Sequence, residues 1–241
     1  MRPSTWTAAG RRAIGAKGAV APWRWRIGAR TLWIATDQAY RVLSWAPLGG
    51  GVRFARLLAN HQVELDDREA MRAPRAYLAR VVRAGGHDPR QTVALMTGAE
   101  VARAGYAFAA RDGVSVGAWC TAGFSNALRA GDRATVLSSH AGTINLIVMV
   151  NRPLTRAAMV EAVQIATEAR VLAVLEAGIK SARSGAPATG TGTDCIAIAA
   201  PVRASAHGLR AERYCGKHTL LGELIGRAVL ESCARAIRRT R

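Results

Sequence analysis

The groups best suited to chemistry fall in a few short stretches. Residues 188–194 read Ala-Thr-Gly-Thr-Gly-Thr-Asp, three threonines alternating with Gly190 and Gly192 and ending on one carboxylate. Glycine at every second position lets a ligand approach the main chain, and the Thr191 hydroxyl can donate and accept. Asp194 stands at the mouth of the apolar run 195–200, which Pro201 closes as a strand end. His218 opens the C-terminal helix, where the positive end of the dipole favours the neutral imidazole that a general base or metal ligand must be. Asn145, after Gly142-Thr143-Ile144, places a carboxamide at the edge of strand 146–150, and Thr121 and Asn126 crowd the end of strand 114–119. Gly49-Gly50-Gly51 breaks any regular element and suits a groove where a bulky ligand meets backbone. Each stretch has a plainer reading as a turn or a buried polar side chain.

The elements that must position these groups follow from pattern and punctuation. Helices are expected at 74–84, stopped by Gly85-Gly86, at 155–177, capped by Thr155 and ended by Gly178, and at 218–238. Residues 31–46 read as a hairpin turning at Asp37-Gln38, 52–63 as an apolar run carrying Asn60 and His61, and 92–96 as a strand. The fold class is α/β, a single domain with a mixed central sheet flanked by helices; a layered αββα sandwich is the alternative. Residues 1–30 hold seven cations and no anion and are expected as a basic irregular extension, with the domain at 31–238. On the helix 155–177, Glu161, Gln164 and Glu168 share a stripe; Glu161 and Gln164 are assigned to solvent, and Glu168 to solvent or the wall of a site.

Composition narrows the function classes. With 50% apolar residues in 241, the chain can bury a core and is not a disordered polymer. The net charge of +18 is concentrated at the two ends, and cations are not interleaved with stacking aromatics beyond Trp23 and Trp25, so nucleic acid is not the expected partner. No apolar run reaches membrane-spanning length, and no secretory signal is legible. Cys120, Cys195, Cys215 and Cys233 form no short pair spacing, as expected of reduced thiols in the cytoplasm.

Taken together, Ala46-Pro47-Leu48-Gly49-Gly50-Gly51, Thr121-Ala122-Gly123 with Asn126-Ala127, Gly142-Thr143-Ile144-Asn145, Thr167-Glu168-Ala169, residues 188–194, and His218 with Leu221-Gly222-Glu223 resemble the adenosylcobinamide amidohydrolase family. The resemblance runs in order over residues 40–232. It implies hydrolysis of the amide joining the corrin ring to aminopropanol in adenosylcobinamide, giving adenosylcobyric acid and the amino alcohol in salvage and remodelling towards adenosylcobalamin. For such a reaction, Asp194 and His218 are the candidates to activate water and protonate the amine, and Asn126, Asn145 and the Thr-Gly main chain to hold the amide oxygen. Thr191 or Thr121 is an alternative nucleophile. Gly49, Gly50, Gly51, Asn60, Thr121, Gly190, Gly192, Glu168 and Glu223 are the expected substrate contacts. These residues name no certain cofactor beyond the cobalt of the corrinoid substrate; a divalent metal is the open alternative, with Asp194, His218 and Glu223 as its ligands outside any standard spacing. A corrinoid is the expected partner, the oligomeric state is open, and the alternative function is a non-catalytic corrinoid carrier.

Overall fold

The computed structural model describes residues 11–14, 20–64, 66–134, 142–202 and 210–240. The chain opens with strands β1 (Arg11–Ile14) and β2 (Val20–Gly28), followed by a long strand β3 (Thr31–Ser44) and β4 (Gly51–Gln62). Helices α1 (Arg68–Arg72) and α2 (Pro74–Ala84) lead to β5 (Thr92–Thr97), β6 (Gly105–Arg111), β7 (Val114–Ala122) and the short β8 (Ala127–Leu128). Then come β9 (Ile144–Val150), α3 (Arg156–Glu176), the short β10 (Gly190–Thr191), β11 (Cys195–Pro201) and α4 (Leu220–Thr240).

Nine of the described strands form one mixed sheet, ordered β1-β2-β3-β11-β9-β7-β6, with β4 on β3 and β5 on β4. The sheet folds into two layers because β3 changes partners along its length. Residues 31–36 pair with β2 and residues 40–44 with β11, while β4 follows β3 on the other side. Between them the register breaks from Ala35↔Leu57 to Tyr40↔Ala55, and the Thr36 hydroxyl closes the bulge on the Gln38 and Arg56 carbonyls. Asp37-Gln38 is therefore a bulge that bends one strand, not the turn of a hairpin.

Period-2 alternation sorts the core into three sheets of contacts. Val116, Ala118, Leu146, Val148, Ile196 and Ile198 face α3 and α4. Their neighbours Trp119, Ile147, Met149, Ala197 and Ala199 face Trp23, Leu32, Ile34, Leu58 and Leu95 of the second layer. The outer face of that layer, with Trp33, Leu57 and Ala59, packs on Leu78 and Val82 of α2. Helices thus flank a mixed β core in the order α, β, β, α.

The expected irregular extension ends earlier than residue 30. In Trp23-Arg24-Trp25-Arg26 the tryptophans turn inward and the arginines outward, the signature of a strand, and Trp23 is 1% exposed. Residues 1–10 and 15–19 of that extension lie outside the described residues. Among the described residues no helix is long and apolar enough to cross a membrane.

Candidate active site

The ends of β7, β9 and β11 meet at one edge of the inner layer. β11 runs parallel to β9 with Cys195 opposite Asn145, and β9 antiparallel to β7 with Asn145 opposite Thr121. Consecutive residues at these ends point to opposite faces, so the polar groups split into two clusters.

On the helix face Asp194 organises the first cluster. Its Oδ1 accepts the Ile144 N–H at 3.0 Å and the Thr191 hydroxyl at 2.5 Å, and its Oδ2 accepts the Thr191 N–H at 3.0 Å and the guanidinium of Arg170. The Asp194 and Arg170 side chains are only 9% and 11% exposed, so each charge is compensated by the other away from bulk water. The carboxylate closes the Thr-Gly turn on itself and pins it to α3. Gly190 is required here because a Cβ would strike Asp194 Oδ2. The other threonines are fastened nearby: Thr143 donates to the Thr193 carbonyl at 2.8 Å, and Thr193 to the Gly142 carbonyl at 3.1 Å. Asn126 lies beside Gly142 and Gly192. Its Oδ1 is buried without a partner among the described residues.

The second cluster lies between the β layers. Asn145 donates from Nδ2 to Asn60 Oδ1 and to the Met96 carbonyl, both at 2.8 Å, and Asn60 donates to Thr121 Oγ1 at 2.9 Å. A carbonyl can only accept, so Met96 fixes which way the Asn145 amide faces. Both N–H bonds of Asn145 are thereby committed, leaving Oδ1 as a buried acceptor with no described partner. As folded, Asn145 cannot donate to an oxyanion. It offers an acceptor instead.

Beside the strand ends, a cavity of about 260 Å³ lies between Gly98–Glu100, Arg103, Gly123–Ser125, Gly142 and Thr240. The loop with Gly49, Gly50 and Gly51 reaches the same edge, since Ser44 pairs with Ala197 and Trp45 donates its indole N–H to the Asp194 carbonyl at 2.8 Å. Gly49 and Gly51 take φ of 76° and 85°, the left-handed region that glycine tolerates.

His218 and Glu223 are not brought to this edge. Glu223 makes a bidentate ion pair with Arg111 at 2.8 and 2.7 Å, and Arg111 pairs with Val114 at the start of β7. Thr219, next to His218, lines a surface pocket with the same Val114. Asp194 bonds at the far end of β7, roughly 25 Å away along nine residues of strand. Helix α4 explains the separation: its last turn, not its first, reaches the site edge, where Thr240 donates to the Ala122 carbonyl at 3.0 Å. The three-ligand set Asp194, His218 and Glu223 therefore does not assemble. Among the described residues no group of three or more His, Cys, Asp or Glu side chains is placed to hold a metal. Glu168 faces Lys217 and Gln164 on the outside of α3, and the hydrogen bond from Lys217 holds its carboxyl below the usual range.

Arg170 was not among the sequence candidates, although one signal was available: an arginine in register with Ala162, Ala166, Ala173 and Val174 on the apolar face of α3. A cation there needs a buried anion. The cysteines offer no nucleophile. Burial pushes the Cys195 thiol up to about 11, and a hydrogen bond with Cys233 followed by burial holds Cys120 well above its ordinary value.

Comparison with known proteins agrees with a family assignment. Among solved structures, a protein of Pyrococcus horikoshii overlays with a TM-score of 0.43 at 14% identity, and a β-aminopeptidase of Burkholderia sp. with 0.41 at 15%, each over 96% of this chain and 82% of the other. An uncharacterised protein of Methanocaldococcus jannaschii is 30% identical over 227 residues, covering 86% of both chains. The family model described as adenosylcobinamide amidohydrolase matches residues 24–241, nearly the whole sequence and including β2 from Arg24 onward. The chain belongs to the adenosylcobinamide amidohydrolase family.

Proposed function

We propose that this chain hydrolyses the amide between the corrin ring and aminopropanol of adenosylcobinamide, releasing adenosylcobyric acid and aminopropanol in corrinoid salvage towards adenosylcobalamin. The observation that carries the reading is the Thr191 hydroxyl resting at 2.5 Å on Asp194 Oδ1, in a member of that family. In this reading the contact makes Asp194 the base that activates the Thr191 hydroxyl as nucleophile.

In this reading Thr191 Oγ1 attacks the amide carbon while its proton passes to Asp194. The Asn126 amide and the Gly192 and Thr193 main-chain N–H groups of the Thr-Gly turn donate to the oxyanion. The C–N bond breaks as the departing nitrogen takes the proton from Asp194. Water then adds to the Thr191 ester, again giving its proton to Asp194, which returns it to Thr191 as the acid leaves. Asp194 carries both transfers because His218 stands at the other end of the sheet. Arg170 and the Ile144 N–H hold the carboxylate in place for them. Gly192, exposed in the turn, lets the substrate arm reach it, and the glycine loop 49–51 borders its path. The four free cysteines, all buried, fit a reducing cytoplasm.

The test is incubation of purified protein with adenosylcobinamide, with and without prior chelator, following adenosylcobyric acid and aminopropanol by mass. Product is expected in both samples. Thr191→Ala and Asp194→Asn should each lower kcat about 10³-fold or more. Corrinoid bound intact by the wild-type chain, without product, would make it a carrier and overturn the proposal. Wild-type turnover in Thr191→Ala would move the attack to water.

A further inference from the structure

A strip of exposed apolar side chains leads away from Asp194. Trp45, Val52 and Phe54 are 54%, 49% and 58% exposed, although they lie in or beside paired strands. Leu43 pairs with Val52 and Arg41 with Phe54, so alternation puts Arg41, Leu43, Trp45, Val52 and Phe54 on one face of β3 and β4. That face is the one Asp194 uses, because Leu43 packs on the helix-side core with Ile196 and Ile198. Helix α3 lies over β11, and no described residue covers the three exposed side chains beyond it. The strip joins the catalytic edge directly through the Trp45 indole on the Asp194 carbonyl.

Large apolar side chains held in the open on a paired sheet mark an interaction surface. Its length from Trp45 to Phe54 is roughly 14 Å by strand geometry. The Arg41 guanidinium stands 5.8 Å from the Phe54 ring, and residues 40–58 contain no aspartate or glutamate. The residues of the strip itself are apolar or cationic.

We propose that this strip seats the flat face of the corrin macrocycle, with the ring on Phe54, Val52 and Trp45 and the amide arm passing Trp45 to reach Thr191. The assignment rests on the amidohydrolase reading and deepens it by naming the surface that binds the ring. The carboxamide arms around a corrin present carbonyl oxygens, which accept from Arg41. A second copy of the chain is the other occupant such a face admits. Two copies meeting here would set arginine against arginine, and residues 40–58 supply no carboxylate to relieve them, which disfavours self-association.

Three quantities test this on wild type, Phe54→Ser and Val52→Ser/Phe54→Ser: KM and kcat for adenosylcobinamide, the Kd of dicyanocobinamide by tryptophan quenching, and the sedimentation mass. Both positions are exposed, so the variants keep the fold. KM and Kd should rise roughly tenfold or more, the scale of losing one buried aromatic contact, with the change in kcat under twofold. Mass should not change. Wild-type KM and Kd in both variants would overturn the seat. So would a fall in mass with KM unchanged, which would give the face to a second copy. A wild-type chain without turnover would sink the amidohydrolase reading by itself, and Kd would still report on the seat.

Discussion

Asp194 and Cys195 are consecutive, and a strand sends them to unrelated places. The carboxylate joins Thr191 and Arg170 on the helix face, while the thiol lies between the layers against Ser44 at 3.8 Å. Burial holds that thiol at about 11, so at neutral pH it is neither a thiolate nor a nucleophile. Cys195→Ala should retain kcat within about twofold, and iodoacetamide at pH 7.5 should not inactivate the native enzyme; rapid inactivation with labelling at Cys195 would contradict this. The sequence shows which residue types can do chemistry at this edge, and Asp194, Thr191, Asn126, Asn145, Asn60 and Thr121 do gather there in two clusters. It does not show the division between faces, because that depends on where β9 and β11 come into register. Nor does it show that Asn145 spends both donors on Asn60 and Met96, a partnership across more than 45 residues.

Elements were legible where local signals set them. Thr155 caps α3 by accepting the Ala158 N–H at 3.2 Å, and Gly178 takes φ of 68° just past its end, both as the residue types require. The bent β3 was less so, since Asp37-Gln38 serves equally as a turn or a bulge, and only pairing with β2, β4 and β11 decides. Helix α3 matters to the site through one residue. Arg170→Ala would leave the Asp194 charge buried with no counter-ion, a change that typically costs about 3–5 kcal/mol. Urea unfolding should show a loss of that order, accompanied by loss of turnover. Asp194→Asn on the Arg170→Ala background should cost less than the sum of the two, because the charge to be compensated is gone. Additive losses would mean that the two side chains act independently.

At the scale of the molecule, pH reaches the fold through histidines in the outer layer. His61 is 8% exposed, facing Thr31 Oγ1 at 2.7 Å and Tyr77 at 3.5 Å. Burial, and after it Arg30, lowers its pKa below 6.5. His87 is lowered likewise, by burial and then Arg26. A lowered imidazole means that the unfolded chain binds the proton first. Their contribution to stability is therefore full above pH 6.5 and is lost as pH falls from there through the folded values. Urea midpoints at pH 7.5 and 5.5 should differ more in the wild type than in His61→Gln/His87→Gln; an equal difference would remove these groups from the acid sensitivity. The glutamines keep polar groups in place without the charge.

The two partners of β3 have a consequence for how this chain is made. Its first half zips onto β2 only a few residues away, while its second half waits for β11, with Ser44 joined to Ala197 across about 150 residues. A nascent chain emerging from the ribosome completes β4, β5, β6, β7 and β9 before the strand that belongs between β3 and β9 exists. Until residue 201 is out, those two strands present unpaired edges to solvent and to other nascent chains. Contacts of such long separation close slowly. Thr191 and Asp194 arrive on that same late strand approach, so the candidate active-site edge is assembled by the last closure of the sheet, and a chain stalled short of it has that edge unformed and its strands uncovered.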